Sequence, residues 1–271
     1  CAAATDLSRE TVDLAIAGLA RASVQRSALA IEGGGVELNG QGLILANEEL
    51  YASRNPGLGR ATLERRLLRL PGVRQVLWLP GGLAEDVHLR ATITGQHVAW
   101  GSGGHSDEFV RFADADTVLL AWPDDADVAT HPVSRLTRQR MQRNLEILQR
   151  AGLRVLKLPM PRPIERRVVL SADADTAWSQ EWTADFFPPA EGRRQGQALT
   201  QMATASYLNF VLANGVVVLP DYLPHGTPRA RQEQVRRIVA EAFPRRQIRF
   251  VDAITANWVG GGLHCATLHQ P

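Results

Sequence analysis

The apolar residues of this chain recur in a fixed order: two short runs typical of strands, one run at helical spacing, and one further strand-like run. In the first copy, glycines divide the apolar runs of 27–47, leucines at helical spacing alternate with arginines in 60–70, and proline closes the run of 73–80. Paired apolar runs around turn residues predict a strand pair, and the leucine spacing predicts a helix. The first unit is therefore strand, strand, helix, strand.

The same order occurs twice more along the chain. The second and third copies lie at 107–123, 133–152 and 153–159, and at 205–220, 228–243 and 247–253. Three copies of one unit indicate an α/β ring or propeller of modules rather than a layered sheet. In such a ring the loops of each module face a common centre, where binding sites are usually built.

Three segments fall outside the repeat. A helical pattern at 7–23 is interpreted as the end of an earlier module, which implies a further piece upstream. The segments 85–104 and 171–196 are interpreted as long connections, the second rich in tryptophan, phenylalanine and acidic residues. Long loops on a scaffold are often lids or binding loops, and plain insertions or partner contacts fit the sequence equally well.

Length and charge narrow the class of protein. A chain of 271 residues can form one large domain or two small ones with a substantial core. None of its apolar runs reaches the length needed to cross a bilayer. A formal net charge of +2 gives no electrostatic reason to expect nucleic acid or an anionic membrane as a partner.

The chain has two cysteines, Cys1 and Cys265, which is too few for a disulfide framework. This count fits a reducing compartment such as the cytoplasm, although one bridge between the two ends stays open. The initial "CAAATD" also resembles the start of a lipoprotein after removal of its signal. An exported or lipid-anchored protein is therefore the alternative.

The first candidate for chemistry is Cys265 in "GGLHC". A thiol is reactive when its pKa is lowered and it is accessible. The preceding glycines permit a close backbone approach or an unusual turn. The alternative is that Cys265 is a small buried apolar residue, which is the usual role of a lone cysteine.

Three further candidates lie in short glycine-containing or apolar motifs. In "GGHSDEF", His105 and Asp107 are two apart, so on a strand both side chains would point to the same face. A histidine beside a carboxylate suits general acid–base chemistry, and a surface His–Asp pair is the alternative. Glu32 in "IEGGG" also fits a tight hairpin, and Asn209 in "SYLNF" also fits the core.

The motifs do not predict a metal or cofactor site. The chain has one usable thiol, no close pair of cysteines and no His-x-x-x-His helix. Its glycine runs lack the lysine and spacing of a P-loop and the layout of a dinucleotide fingerprint. We therefore expect neither a metal nor a cofactor.

Taken in order, several motifs resemble the agmatine deiminase and bacterial-type peptidylarginine deiminase family. The resembling segments are EGGG, NPGLGRATLERRLLRLPGVRQVLWLPGGLAED, GGHSDEFVRF, VLKLPMPRP, SYLNFVLANGVVVLP and GGGLHCATLHQP. The resemblance implies the pentein fold, an α/β propeller of five ββαβ modules around a pseudo-fivefold axis. Residues 1–271 would then form one pentein-like catalytic domain that lacks the N-terminal module.

The resemblance also implies hydrolysis of a guanidinium group to a ureido group and ammonia, with no cofactor. Cys265 would attack the central carbon as a thiolate and form a covalent thiouronium. His105 would protonate the departing ammonia and then activate water. Asp107 matches the carboxylate with which the family binds the guanidinium.

Other positions match the family's site with supporting roles. Glu32 and Asn209 match motif positions that line it, and Gly261 and Gly262 would let the backbone approach the substrate. The family usually has asparagine where Gly262 stands and a shorter connection than 81–104. Its second guanidinium-binding carboxylate belongs to an N-terminal stretch that has no counterpart in this sequence.

Two other functions stay open at this stage. An amidinotransferase would pass the same thiouronium to an amine, and a non-catalytic pentein relative would only bind guanidinium. For the hydrolase, a small agmatine-like substrate is slightly favoured over a protein arginine side chain. The sequence leaves open whether the chain forms a homo-oligomer.

Overall fold

Each of the three predicted units forms a small sheet in which an antiparallel strand pair is extended by a parallel third strand. The computed structural model describes residues 14–24, 27, 29–172 and 180–267. A parallel third strand requires a crossover connection, and helices supply it in every unit. The prediction of three strand–strand–helix–strand units is confirmed.

The first module shows how the sequence forms such a unit. Its elements are β1 (Val36–Leu38), β2 (Leu43–Asn47), α1 (Glu48–Arg54), α2 (Arg60–Leu67) and β3 (Gln75–Leu79). The Asn47 side chain caps α1 by accepting a hydrogen bond from the Glu49 backbone N–H at 3.0 Å, so strand and helix join without a loop. The leucines at helical spacing, Leu63 and Leu67, are buried in one cluster with Trp78 of β3.

The middle of the chain contains a hairpin and the second module. The hairpin is β4 (His88–Thr94) and β5 (His97–Ser102), and the one-turn helix α3 (Ser106–Phe109) follows it. The second module comprises β6 (Val110–Phe112), β7 (Thr117–Trp122), α4 (Asp125–Thr130), α5 (Pro132–Arg150) and β8 (Arg154–Pro159). Pro132 occupies the first turn of α5, where its missing N–H costs nothing.

The last third of the chain completes the sheets. It contains β9 (Glu165–Ser171), β10 (Trp182–Thr183), β11 (Ala198–Met202), β12 (Val211–Ala213), β13 (Val216–Pro220), α6 (Arg229–Ala242), β14 (Gln247–Val251) and the short helix α7 (Ile254–Asn257). Strands β12, β13 and β14 form the third module. The largest buried cluster combines Leu45, Leu79, Leu119, Leu219 and Val239, so it extends through all three modules.

The interpretation of 85–104 as a long connection is wrong. This segment contains the whole of β4 and β5, which belong to a five-stranded sheet of order β10-β9-β11-β5-β4. The interpretation of 171–196 is wrong in part, because β10 joins the same sheet, while 173–179 lie outside the described residues. Strand β9 contains two adjacent arginines, and exposed residues alternate with half-buried ones along most of it, so it lacks the apolar pattern that marks the strands of the modules.

The remaining expectations concern the start of the chain and membranes. A helical segment at 14–19 corresponds to part of the helix predicted at 7–23, and residues 7–13 lie outside the described residues. Cys1 also lies outside them, so the bridge and the lipid anchor stay predictions. Among the described helices, none combines the length and apolar character that crossing a membrane requires.

Candidate active site

Cys265 lies in a turn that one buried side chain, Asn209, holds in place. The backbone N–H of His264 donates to Asn209 Oδ1 at 2.8 Å, and Asn209 Nδ2 lies 3.3 Å from Cys265 Sγ. The same Nδ2 donates to Glu108 Oε1 at 2.8 Å. A Cβ at residue 262 would collide with Asn209 Oδ1, so the turn requires glycine there. The amide therefore fixes the thiol relative to the acidic helix α3.

The electrostatic surroundings of Cys265 keep its thiol protonated. The residue reaches solvent, and its Sγ lies 4.0 Å from Asp107 Oδ2. Partial desolvation, followed by the negative charge of Glu108 and Asp107, raises the pKa of Cys265 to about 12. A thiol with this pKa is a poor nucleophile near neutral pH unless a positive charge arrives beside it.

Helix α3 presents two adjacent carboxyl groups beside the thiol. Asp107 is almost completely buried and lies within hydrogen-bond distance of His264 Nδ1, at 2.7 Å. Burial and the neighbouring carboxylates raise the pKa of Glu108 well above its ordinary value. Since Asp107, Glu108 and Cys265 place their donor atoms within 4.8 Å of one another, this group could hold a cation.

The expectation that His105 and Asp107 share one face of a strand is wrong. His105 is the N-cap residue of α3, and Asp107 lies in its single turn. The turn before α3 contains Gly103 and Gly104, both with φ of +93°, which favours glycine and ends the strand. The two side chains consequently have different partners, and both still line the same cleft.

A buried carboxylate, Asp86, organises the turn that carries His105. Its oxygens accept hydrogen bonds from the backbone N–H groups of Ser102, Gly104 and His105 at 2.5–2.9 Å. The Ser102 hydroxyl donates to both oxygens as well. Asp86 is the last residue of the "GGLAED" motif, and sequence reasoning assigned it no role. It holds the backbone of His105 in position.

Glu32 binds His105 from the other side of the cleft. His105 Nε2 lies 2.6 Å from Glu32 Oε2, and Arg54 Nε donates to Glu32 Oε1 at 2.7 Å. Burial alone would raise the pKa of Glu32, but the hydrogen bonds from His105 and Arg54 outweigh it and lower the pKa to about 2. A Cβ at residue 34 would come within 2.5 Å of His105 Nδ1, which explains a glycine in "EGGG".

The same ion cluster sets the protonation of His105. Burial acts to lower the pKa of His105, but the hydrogen bond to Glu32 and the charges of Asp107 and Asp86 raise it. The imidazole is thereby biased toward its protonated form, which is the form a general acid requires. Arg54, which sequence reasoning missed, has no local motif and is brought in by the α1 helix.

One cleft of about 1000 Å³ joins these groups. Its lining combines Gly33, Gly34, Val36, Glu37, Leu38, Ser102, His105, Asp107, Arg111, Phe112, Leu212, Gly260, His264, Cys265 and Thr267. These residues come from all three modules and from β5, so the cleft lies where the modules meet. Cys265, His105 and Asp107 are brought together there, although about 160 residues separate the cysteine from the histidine.

The other predicted site residues lie behind this lining. Glu32 and Asn209 do not line the cleft in the described part of the chain. Glu32 contacts His105, and Asn209 contacts the turn that contains Cys265. The approach of the Gly261 and Gly262 backbone to a substrate stays a prediction. In the structure Gly260 lines the cleft and Gly262 packs against Asn209. His264 and Glu108 were missed, although each is adjacent to a predicted residue.

The whole chain was compared with known protein families and proteins. Residues 4–271 match the profile of the Porphyromonas-type peptidyl-arginine deiminase family. The agmatine deiminase of Ectopseudomonas mendocina (strain ymp) is 29% identical over 246 residues, 89% of this chain and 57% of that protein. The agmatine deiminase of Pseudomonas aeruginosa (strain LESB58) is 27% identical over 259 residues, 93% and 60% of the two chains. The chain thus spans about three-fifths of the length of these relatives.

Solved structures give the same result for the fold. The C. jejuni agmatine deiminase matches with a TM-score of 0.64 at 20% identity, over 97% of this chain and 62% of that one. The Enterococcus faecalis agmatine deiminase matches with a TM-score of 0.65 at 22% identity, over 93% and 60%. The expected fold class, a pentein-type α/β propeller of ββαβ modules, is confirmed.

Proposed function

Because this chain belongs to the Porphyromonas-type peptidyl-arginine deiminase family, we propose that it hydrolyses a guanidinium group to a ureido group and ammonia. The observation that carries the proposal is the convergence of a thiol, a histidine and a buried carboxylate on one cleft. A guanidinium is planar, cationic and a poor electrophile, so its hydrolysis needs an orienting carboxylate, a nucleophile and a proton source. Asp107, Cys265 and His105 supply one each.

Binding of the substrate would activate the nucleophile. Besides desolvation, the charges of Glu108 and Asp107 raise the pKa of the Cys265 thiol, and a guanidinium bound by Asp107 would offset these charges. The thiolate would form only when the cation is present. This arrangement protects an exposed thiol from other electrophiles between turnovers.

The first half-reaction would consume one proton from His105. The Cys265 thiolate attacks the central guanidinium carbon, and protonated His105 donates to one terminal nitrogen. The bond from carbon to that nitrogen breaks, ammonia leaves, and a cationic thiouronium stays on sulfur. The contacts of His105 with Glu32 and Asp86 support this role, because they favour the protonated imidazole that the step requires.

The second half-reaction would return the proton. Neutral His105 takes a proton from water, the resulting hydroxide attacks the thiouronium carbon, and the bond from carbon to sulfur breaks. As the bond from carbon to sulfur breaks, the hydroxyl proton of the intermediate passes to solvent, the ureido product leaves and the thiolate is regenerated. The ammonia released in the first half-reaction takes up a proton from solvent and becomes ammonium. Glu32 and Asn209 act as positioning residues, the first through His105 and the second through the Cys265 turn.

A small agmatine-like guanidine is the proposed substrate. The two relatives named above are agmatine deiminases, and the carboxylate at the cleft is suited to one cationic planar group. A peptidyl arginine is the second candidate, because the family profile is that of peptidyl-arginine deiminases. Both would use the same three residues.

The test is ammonia release from agmatine and from a blocked arginine peptide, with Cys265→Ala as the control. Activity on agmatine that the alanine variant lacks would support the proposal, and mass spectrometry of quenched enzyme should show the thiouronium adduct on Cys265. Release from the peptide alone would transfer the substrate assignment to protein arginine. A folded chain that binds agmatine without ammonia release would support the non-catalytic alternative, and a new guanidino product formed with added lysine or glycine would indicate an amidinotransferase.

A further inference from the structure

Three metal-ligating side chains meet at a place that shares no residue with the cleft of Cys265. His131 Nε2 lies 2.8 Å and His97 Nε2 lies 3.2 Å from the same oxygen of Glu165, Oε1. The two imidazole rings are edge to face, with centroids 5.3 Å apart. The three donor atoms lie within 4.8 Å of one another.

The fold builds this group from three separate elements. His97 begins β5, Glu165 begins β9, and both strands pair with β11 in the five-stranded sheet. His131 precedes α5 of the second module and is its N-cap residue. None of these residues belongs to a short ligand motif, which is why the sequence predicted no metal site.

We propose that His97, His131 and Glu165 bind a divalent transition metal ion, with Zn²⁺ as the best fit. Two imidazoles and one carboxylate form a known zinc ligand set, and imidazole suits Zn²⁺, Co²⁺ and Ni²⁺. Ligand atoms about 2.0–2.1 Å from a tetrahedral ion are about 3.3 Å apart, close to the spacing of the carboxylate oxygen from each imidazole. The side chains therefore need only small shifts to surround an ion.

Burial supports a site that is held by the protein and still reachable from solvent. The side chains of His97 and His131 are 22% and 15% exposed, whereas Glu165 is 36% exposed. A cleft lined by Gln96, Glu165, Arg167 and Thr200 lies beside the carboxylate. Water or a small anion entering this cleft would supply the fourth ligand.

The proposal has a cost that the structure identifies. The His131 Nδ1 atom accepts a long hydrogen bond from the Ser134 backbone N–H at 3.4 Å. When the ion binds His131 Nε2, the proton of the neutral imidazole must sit on Nδ1. Nδ1 then no longer accepts the hydrogen bond from the Ser134 N–H, and this N-cap of α5 is lost. In exchange the ion links the start of α5 to the edge of the five-stranded sheet. Its role is thus structural, independent of the proposed hydrolysis, and its removal should loosen this junction.

The test is a Co²⁺ titration of untagged, chelator-treated protein, followed by visible absorption and by calorimetry. We expect one equivalent to bind with the spectrum of a tetrahedral ion, and Zn²⁺ to displace it. Saturation with Zn²⁺ at 100 times its dissociation constant should raise Tm by about 5–10 °C. Glu165→Gln should weaken binding at least tenfold, since the amide keeps the shape and removes the charge.

Matched variants separate this site from other histidines and from the thiol. Binding should be lost in His97→Ala and in His131→Asn, in which asparagine retains an N-cap acceptor for α5. It should persist in Cys265→Ala, which removes the thiol from the Asp107–Glu108 group, and in His225→Ala, whose histidine pairs with Asp252. Full binding by folded His97→Ala, no binding by the parent chain, or loss of binding in either control would overturn the proposal.

Discussion

The two walls of the cleft handle negative charge in opposite ways. Behind one wall, Glu32 is ionised because Arg54 and His105 bind it directly. Behind the other wall, Glu108 accepts a hydrogen bond from the Asn209 amide, and burial and the neighbouring Asp107 charge raise its pKa. The Glu32 carboxylate pairs with the Arg54 guanidinium, whereas Asp107 pairs with the His264 imidazole and Glu108 with a neutral amide. We therefore expect a cationic ligand to bind beside Asp107 and Glu108 rather than beside Glu32, whose charge Arg54 already balances.

Removal of the Asp107 charge is expected to have the largest effect. Asp107→Asn removes the carboxylate proposed to orient the guanidinium, so ammonia release should fall about 10²–10³-fold. The same change removes a charge that raises the pKa of Cys265, so alkylation of the thiol by iodoacetamide at pH 8 should become faster. Activity and thiol reactivity would thus move in opposite directions.

The matched control for this substitution is Asp116→Asn, at an exposed turn residue. It should leave both rates unchanged. Slower alkylation in Asp107→Asn, or unchanged ammonia release, would contradict the view that Asp107 both raises the pKa of the thiol and orients the guanidinium.

A pair of glycine substitutions tests the packing of the thiol wall. A Cβ at residue 262 would collide with Asn209 Oδ1, so Gly262→Ala should displace the Cys265 turn and reduce kcat about 10²-fold. A Cβ at residue 261 would meet only Ala256 O at 3.7 Å, an ordinary contact. Gly261→Ala should therefore retain activity. Equal rates for the two variants, measured with circular dichroism to check folding, would show that the Asn209 contact does not position the thiol.

The smallest expected effect is the contribution of Glu32 to the free energy of unfolding. The pKa of Glu32 is lowered from 4.5 to about 2, so its stabilising contribution is complete above pH 4.5 and is lost as the pH falls toward 2. Glu32→Gln should lower the free energy of unfolding at pH 7 by about 1–2 kcal/mol after allowance for solvent screening, and should flatten the loss between pH 4.5 and 2.

Urea denaturation across this pH range measures that effect. Glu146→Gln is the matched control, because Glu146 forms an exposed i,i+4 pair with Arg150 and should change stability by less than about 0.5 kcal/mol. A parallel NMR titration should show a lower pKa for His105 in Glu32→Gln, since its main favourable partner is lost. If the free energy of unfolding falls equally between pH 4.5 and 2 with and without Glu32, then Arg54 and His105 do not stabilise the folded chain through Glu32.

The sequence predicted those strands and helices whose own apolar pattern determines their structure. Strand β7 is a continuous apolar run buried along most of its length, and α5 buries Met141, Leu145 and Leu148 at helical spacing. Strand β9 was missed because its pairing with β11, rather than an apolar pattern, keeps it in the sheet. Local periodicity carries no information about such pairing.

The same limit applies to the site. Cys265, His105 and Asp107 were identified because each lies in a distinctive short motif. Asp86 and Arg54 act through contacts with residues 16–48 positions away, which only the folded chain reveals. His264 is a different case, because it adjoins Cys265 in sequence and its contact with Asp107 could have been suspected from that adjacency alone.

The close approach of Gly260 to the β5 backbone has a consequence for protein engineering. A Cβ at residue 260 would lie 2.7 Å from Gly101 Cα and from Trp100 O, so two stretches of main chain touch with no side chain between them. A library that varies the end of the chain must therefore leave the hairpin strand unchanged as well. Positions 101 and 260 therefore have to be varied together. In recombination between homologous genes, both positions should come from the same parent.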